Sequence, residues 1–301
     1  MDVAITNVHL DLGAGRRGTD MGPSAMHVAG LVPKLRAMGH RVIDVVALEV
    51  ASAESTEAGE NPRARFLPAI LRTCTALADR VEQGCEQGLF PLVLGGDHSQ
   101  AIGTISGLAR WYRRRGQSIG VVWVDAHTDM NTPDTSPSGN IHGMPLSTLL
   151  GRGLAELTGL AGGEPALRPE NVVVIGARDV DFTEAPLVKE LGVRTYTMSE
   201  IDSRGLALCV QEAFDRASNG TAGVHLSFDL DGVDPQDAPG VGTPVPGGLT
   251  LRESHLICET AARRKLIGME MVELNPVLDI RNQTGELAVW LIQSALGKTI
   301  L

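Results

Sequence analysis

The sequence predicts an α/β fold, one domain on a mostly parallel sheet of about eight strands with helices packed on both faces. Three observations carry this. Short Val- and Ile-rich runs bounded by Gly, Pro or Asp recur along the chain, stretches with apolar residues at helical spacing lie between them, and the two kinds alternate from end to end. Parallel strands need crossover connections, and helices supply them.

Taken in order, the first strand is expected at residues 3–8, followed by a helix over 24–38 whose start is marked by Pro23, pre-set for a first helical turn. The second strand, 41–47, passes into ASAESTEAGENPR at 51–63, a polar surface loop. An amphipathic helix over 64–87, a strand at 91–94, a helix over 100–114 and a strand at 119–124 follow. Residues 131–140 form a second polar connection. The fifth and sixth strands are expected at 172–175 and 193–196, then a helix over 206–217, a strand at 223–228, a helix over 251–264, a strand at 267–272 and a closing helix over 285–296. The apolar runs are nearly continuous rather than alternating, as in strands buried on both faces.

With 301 residues, 43% of them hydrophobic, the chain can bury a large core without disulfides or a structural metal. A prior of roughly 150 residues per domain would give two domains. No Pro/Ser-rich or charge-run linker divides the sequence, however, so residues 1–301 are read as one domain. The net charge of -10 argues against nucleic acid as a partner and suits cationic ligands. Cys74, Cys85, Cys209 and Cys258 lack CxxC spacing and fall in helical stretches, so they are expected to be reduced and buried. The N-terminal MDVAITNVHL has no basic segment followed by a long apolar run, and no stretch reaches the roughly 20 apolar residues of a membrane span. A cytoplasmic location without membrane attachment is therefore expected.

Ligands of open parallel sheets gather at the carboxyl ends of strands, and several exits here are unusually polar. The third strand runs into Gly95-Gly96-Asp97-His98, the fourth into Asp125-Ala126-His127-Thr128-Asp129, and the seventh into Asp229-Leu230-Asp231. In an extended segment, residues two apart point the same way, so Asp125, His127 and Asp129 are expected to converge, as are Asp229 and Asp231. Each residue alone reads as a helix cap, turn residue or hydrogen-bonded core histidine. Together they would crowd at least four uncompensated carboxylates onto neighbouring strand ends, at a cost of several kcal/mol per ion. Divalent cations remove that difficulty. Oxygen-rich ligands with two imidazoles and no thiolate favour a hard or borderline ion such as manganese over structural zinc. Two ions about 3.5–4 Å apart would activate a shared water, which makes a hydrolytic site. Gly13-Ala14-Gly15-Arg16-Arg17-Gly18 also satisfies GxGxxG, with Glu49 as a possible ribose ligand. That motif needs its third glycine on the opening turn of a helix, whereas here residues 19–24 intervene.

Gly95-Gly96-Asp97-His98-Ser99, Asp125-Ala126-His127-Thr128-Asp129 and Ser227-Phe228-Asp229-Leu230-Asp231-Gly232-Val233-Asp234-Pro235 resemble, in order and separation, the three signature segments of the ureohydrolases, which include arginases and agmatinases. The similarity spans nearly the whole chain. It implies a three-layer α/β/α fold and two Mn²⁺ per subunit. His98 and Asp129 would bind one ion and His127 and Asp231 the other, with Asp125 and Asp229 bridging. A metal-bridging hydroxide, hydrogen-bonded to Asp129, would cleave a guanidinium. Homotrimers or homohexamers are implied as well.

Residues 131–143, NTPDTSPSGNIHG, resemble the arginases in particular, whose substrate L-arginine carries, beside its amine, an α-carboxylate that agmatine lacks. Asn131 and Ser138 offer neutral donors for the carboxylate, with Thr135 and Asn140 nearby. Arg178-Asp179-Val180-Asp181 with Glu184 offers anions for the amine. Outside this context ordinary turn chemistry accounts for the Asn, Thr and Ser residues. His142 resembles the family's proton-shuttling histidine, which as a neutral imidazole could protonate the leaving amine. Glu273, in Met271-Val272-Glu273-Leu274-Asn275-Pro276, matches the glutamate that pairs with the guanidinium, and Thr243 is implied in the same pocket. Residues 13–24 resemble a glycine-rich stretch that shapes the rim of the site in bacterial arginases. Asp134, Pro137, Phe182-Thr183 and Gln100 depart from the pattern without touching an implied ligand. The competing readings are an agmatinase or guanidino-acid hydrolase, and a non-catalytic protein that binds metal or arginine. Asn131, Ser138 and Asp181 argue against the first, and an intact ligand set with His142 and Glu273 against the second.

Overall fold

The strands expected from the apolar runs all form, and a computed structural model describing residues 1–299 assembles them into one sheet. They are β1 (Asp2–Asn7), β2 (Arg41–Ala47), β3 (Phe90–Leu94), β4 (Ser118–Val124), β5 (Val172–Ala177), β6 (Arg194–Thr197), β7 (Thr221–Asp229) and β8 (Leu266–Val272). The spatial order is β2-β1-β3-β8-β7-β4-β5-β6, with every neighbouring pair parallel.

Eleven α-helices connect the strands among the described residues: α1 (Gly22–Val28), α2 (Leu31–Ala37), α3 (Leu67–Glu86), α4 (Ala101–Arg113), α5 (Pro145–Leu149), α6 (Ala155–Thr158), α7 (Ala185–Leu191), α8 (Met198–Arg204), α9 (Leu206–Ser218), α10 (Leu251–Ala262) and α11 (Gln283–Ala295). Alternate strand residues face opposite layers. Leu92, Leu94, Val122 and Val124 pack with α1, α2, α9, α10 and α11, while Val93, Val121, Trp123 and Val174 pack with α3, α4 and α5. The period of two that a pleated strand imposes thus divides one apolar run between two cores. Cys74, Cys85, Cys209 and Cys258 are free and buried in these helices.

One expected helix is not continuous. The stretch 24–38 divides into α1 and α2 around Gly30, whose φ of 84° is left-handed. Pro33 supplies the reason, because in an unbroken helix its ring would clash with the carbonyl of residue 29, and Gly30 adopts the required turn without a Cβ penalty. The start expected at Pro23 is as read, with proline in the first turn of α1. Among the described residues no helix is long and apolar enough to cross a membrane.

The consequence for function is positional. β3, β8, β7 and β4 are consecutive neighbours at the middle of the sheet, so the polar segments that leave their carboxyl ends open onto one shared crevice.

Candidate active site

At the end of β3 the Asp97 carboxylate accepts from Ser99 N at 3.0 Å and caps the turn His98–Gln100 that leads into α4. His98 is thereby fixed at the crevice floor, 1% exposed. At the end of β7, Asp229 accepts from Asp231 N at 2.7 Å and winds residues Leu230–Gly232 into a 3-10 turn. β4 ends at Val124, and residues 125–129 are not extended. The pleat expected to align Asp125, His127 and Asp129 is therefore absent, as is the one expected for Asp229 and Asp231. Turns bring these side chains together instead. Asp129 has φ 50°, a left-handed conformation uncommon for a residue with a Cβ, and that backbone reversal returns its carboxylate toward His98.

The six side chains form two overlapping sets. His98 Nδ1 lies 3.0 Å from Asp229 Oδ2, 3.1 Å from Asp129 Oδ2 and 3.3 Å from Asp125 Oδ2. His127 Nδ1 lies 3.1 Å from Asp231 Oδ2 and 3.3 Å from Asp125 Oδ1. Among the described residues, the groups able to hold a metal ion are His98, Asp125 and Asp229, and Asp125, His127 and Asp231. Asp125 belongs to both and presents one oxygen to each. Burial and repulsion from Asp125 push the Asp129 carboxyl up to about 7, and burial with repulsion from Asp231 and Asp125 raises Asp229 well above its ordinary range. His98 Nδ1 is buried and has no hydrogen-bond partner. A lone-pair donor facing three carboxylate oxygens fits a hard or borderline divalent cation, so the residues present suit a metal pair.

Several residues that support this floor carry little or no signal in sequence. The Trp123 indole stacks on the His98 ring at 4.0 Å and donates from Nε1 to Asp125 Oδ2 at 2.8 Å. Ser227 Oγ lies 2.9 Å from His98 Nε2. Arg178 donates to the backbone oxygens of Asp231, Gly232 and Val233 and of Val245, tying the loop after β7 to that before α10. Trp123 and Ser227 sit inside apolar strands where pattern reports burial alone. Arg178 belongs to a polar exit, and its five-donor guanidinium was the only cue.

Above the floor is a cleft of about 200 Å³ lined by His127, Asp129, Asn131, Ser138, Asn140, His142, Asp181, Glu184 and Thr243, together with Ser136 and Asp179. Glu273 Oε1 accepts from His98 N at 2.9 Å and lies 3.1 Å from His142 Nδ1. Its Oε2 is buried without a partner, and its φ of 63° is again left-handed. Strain of this kind costs roughly 1–3 kcal/mol per residue and persists where surroundings enforce it. Burial pulls the His142 imidazole down, but the hydrogen bond and charge of Glu273, with Asp97 and Asp129, push it up to about 9. The neutral imidazole read from sequence is thus replaced by one that keeps its proton, because its partner is a buried anion.

At the far end, Asn131 Nδ2 donates to Asp181 Oδ2 at 2.8 Å. Thr135 is not on the cleft wall. Its hydroxyl donates to Asn131 Oδ1 at 2.9 Å and so braces the loop from behind. Glu184 Oε1 accepts from Thr128 Oγ1 and from Met130 N at 2.6 Å, so that oxygen is committed to the 128–130 turn. Thr243 donates to Asp231 Oδ2 at 2.8 Å. Ser138 accepts from Asn140 N at 3.2 Å, and Arg65 donates to Asn140 Oδ1 at 3.3 Å. The glycine-rich stretch walls an adjoining cleft through Ala14, Gly15 and Arg16, beside His142 and Thr243. Gly13 N donates to Asp97 Oδ2 at 2.8 Å, and a Cβ at Gly13 would collide with Asp97 and Ser99. That glycine serves a close approach to the site rather than a nucleotide turn.

Residues 1–297 match the family model described as the arginase family. Over 300 residues, 99% of this chain and 99% of the relative, the sequence is 47% identical to the arginase of Bacillus caldovelox. It is 48% identical over 300 residues to the arginase of Bacillus subtilis strain 168, again at 99% of both chains. The solved structure of the Bacillus caldovelox arginase superposes with a TM-score of 0.94 at 46% identity, covering 99% of each chain. With that agreement in sequence, length and fold, the chain belongs to the arginase family, a group of ureohydrolases.

Proposed function

We propose that this protein hydrolyses L-arginine to L-ornithine and urea, using two Mn²⁺ per subunit held by His98, Asp125, His127, Asp129, Asp229 and Asp231. The observation that carries the reading is the pair of ligand sets joined by Asp125 at the floor of a cleft whose far wall holds Asn131 and Asp181. The arginase relatives at 47% and 48% identity favour the same substrate. We further propose that residues 1–301 work as one domain, in a cytoplasmic homotrimer or homohexamer.

In this reading His98 and Asp129 would hold one ion and His127 and Asp231 the other, with Asp125 and Asp229 contributing to both. When bound, the pair supplies a hydrolytic nucleophile near neutral pH by lowering the pKa of water. The chain's own residues do the rest. The partnerless Glu273 Oε2 takes the guanidinium N–H groups and presents the central carbon to the floor. Asp129 accepts a hydrogen bond that orients the attacking oxygen. As the new C–O bond forms and the C–N bond to the ornithine side breaks, His142 gives its proton to the leaving amine. Thr243 keeps Asp231 aligned. Asn131, Ser138, Asn140 and Asp181 receive the α-carboxylate and α-amine, with Thr135 and Glu184 holding the loops that carry them.

Removal of metal is expected to abolish urea release, with manganese restoring it better than zinc or magnesium. Elemental analysis that finds one zinc per subunit in fully active protein contradicts the dinuclear reading. His142→Asn is expected to leave KM for arginine nearly unchanged and lower kcat by about 10²–10⁴-fold, the range for loss of a positioned proton donor. An altered KM at wild-type kcat would make His142 a binding residue instead. Urea formation measured side by side from arginine and from agmatine distinguishes the arginase reading from the agmatinase one, and release from neither leaves only a binding protein.

A further inference from the structure

The floor of the site rests on a charged group that the reaction does not use. Trp123, Ser227, Glu270 and Val93 are paired in register across β4, β7, β8 and β3, so their side chains share the face that carries α3 and α4. Glu270 is fully buried in this layer, a costly position for a carboxylate. Its Oε1 accepts from Ser227 Oγ at 2.8 Å and lies 3.2 Å from His225 Nε2, and its Oε2 has no partner. Burial pushes the carboxyl up, but the hydrogen bond and charge of His225, with the charge of His98, outweigh it and leave Glu270 below the ordinary range.

We infer that Glu270 is a positioning residue for the metal centre, acting through Ser227 to fix the tautomer of His98 and strengthen it as a ligand. The donor accounting leads there. Ser227 spends its single proton on Glu270, so toward His98 its oxygen can only accept. The His98 proton is therefore on Nε2, 2.9 Å from Ser227 Oγ. Nδ1, the atom that faces Asp125, Asp129 and Asp229, is then the nitrogen that would offer its lone pair to an ion. Stacking on Trp123 fixes the ring plane. A carboxylate relayed to the far nitrogen of a ligating histidine orients the ring and raises its basicity. Here the relay passes through a hydroxyl, and its anion is held by a second buried histidine. His127 has no such support in the hydrogen bonds of its ring, so the two ions should differ in their dependence on Glu270.

The inference rests on the proposed dinuclear site and is tested without turnover. Metal-free protein is titrated with Mn²⁺ and the unbound ion is counted by its electron paramagnetic resonance signal. The wild type is expected to take two ions per subunit. Glu270→Gln, which keeps shape but removes charge, is expected to weaken one of them by about 10–100-fold and leave the other in place. Ser227→Ala should produce the same selective loss, and adding Glu270→Gln to it should cost little more, since the relay is already cut. Wild-type affinity for both ions in Glu270→Gln overturns the inference. If that variant fails to fold, wild-type affinity in Ser227→Ala, which leaves the Glu270–His225 pair intact, overturns it equally. A wild type that binds fewer than two ions instead removes the dinuclear reading itself.

Discussion

Asp125→Asn is expected to strip the protein of both metal ions and lower urea release by at least about 10³-fold, because water away from a metal has a pKa of about 15.7 against about 7 beside one. The size of the effect follows from geometry. Asp125 gives Oδ2 to the His98 side and Oδ1 to the His127 side, each at 3.3 Å, so one substitution reaches both ligand sets. The same oxygens accept from Trp123 Nε1 at 2.8 Å and from His127 N at 2.7 Å. An amide of nearly the same shape keeps the packing but loses the charge on which both cations depend. Metal content by elemental analysis, read beside urea release, checks this. Two ions per subunit with wild-type turnover would mean that Asp125 is a structural carboxylate and that the centre lies elsewhere.

A second large effect is expected in substrate choice. In the proposed reading the floor acts on the guanidinium, whereas the selection among guanidines is made at the far wall, where Asn131 and Asp181 are bonded at 2.8 Å. The α-carboxylate and α-amine of arginine must leave water, and charge-assisted hydrogen bonds to these groups offset that loss. Agmatine lacks the carboxylate and leaves the donors of the wall unpaired, so arginine should be preferred by at least about 10³-fold in kcat/KM, the scale on which such sites reject analogues. Asn131→Ala, which removes a donor to the carboxylate, should then cost arginine far more than agmatine and narrow the gap from one side. Faster hydrolysis of agmatine or a guanidino acid by the unmodified protein would remove the arginase reading and leave a guanidine hydrolase.

Much of the site was legible because its residues break pattern. Apolar runs that end abruptly in Asp97-His98, Asp125–Asp129 or Asp229–Asp231 cannot be continued as core, and their polarity demanded an explanation. The supporting residues were not legible, because they obey pattern. Trp123 lies within SIGVVWV, Ser227 within TAGVHLSFD and Glu270 within LIGMEMV, where hydrophobic periodicity says only that a position is inside. The expectation that Asp125, His127 and Asp129 converge on one point rested on a pleat that is not there, and the structure sets Asp129 beside His98 and His127 beside Asp231, with Asp125 next to both histidines. Turns take the pleat's place, among them the left-handed one at Asp129.

By itself, then, the sequence determined which segments are strands and helices, that the strands are parallel, and which exits carry chemistry, since period, composition and turn residues are local and act before any tertiary contact exists. The tertiary structure alone decided the strand order and everything that depends on it. His98 N meets Glu273 across 175 residues and Ser227 meets Glu270 across 43, and no local pattern encodes which distant strand becomes a neighbour. That β3, β8, β7 and β4 lie side by side follows from burying two apolar faces at once under helices that fit, a condition on the whole chain.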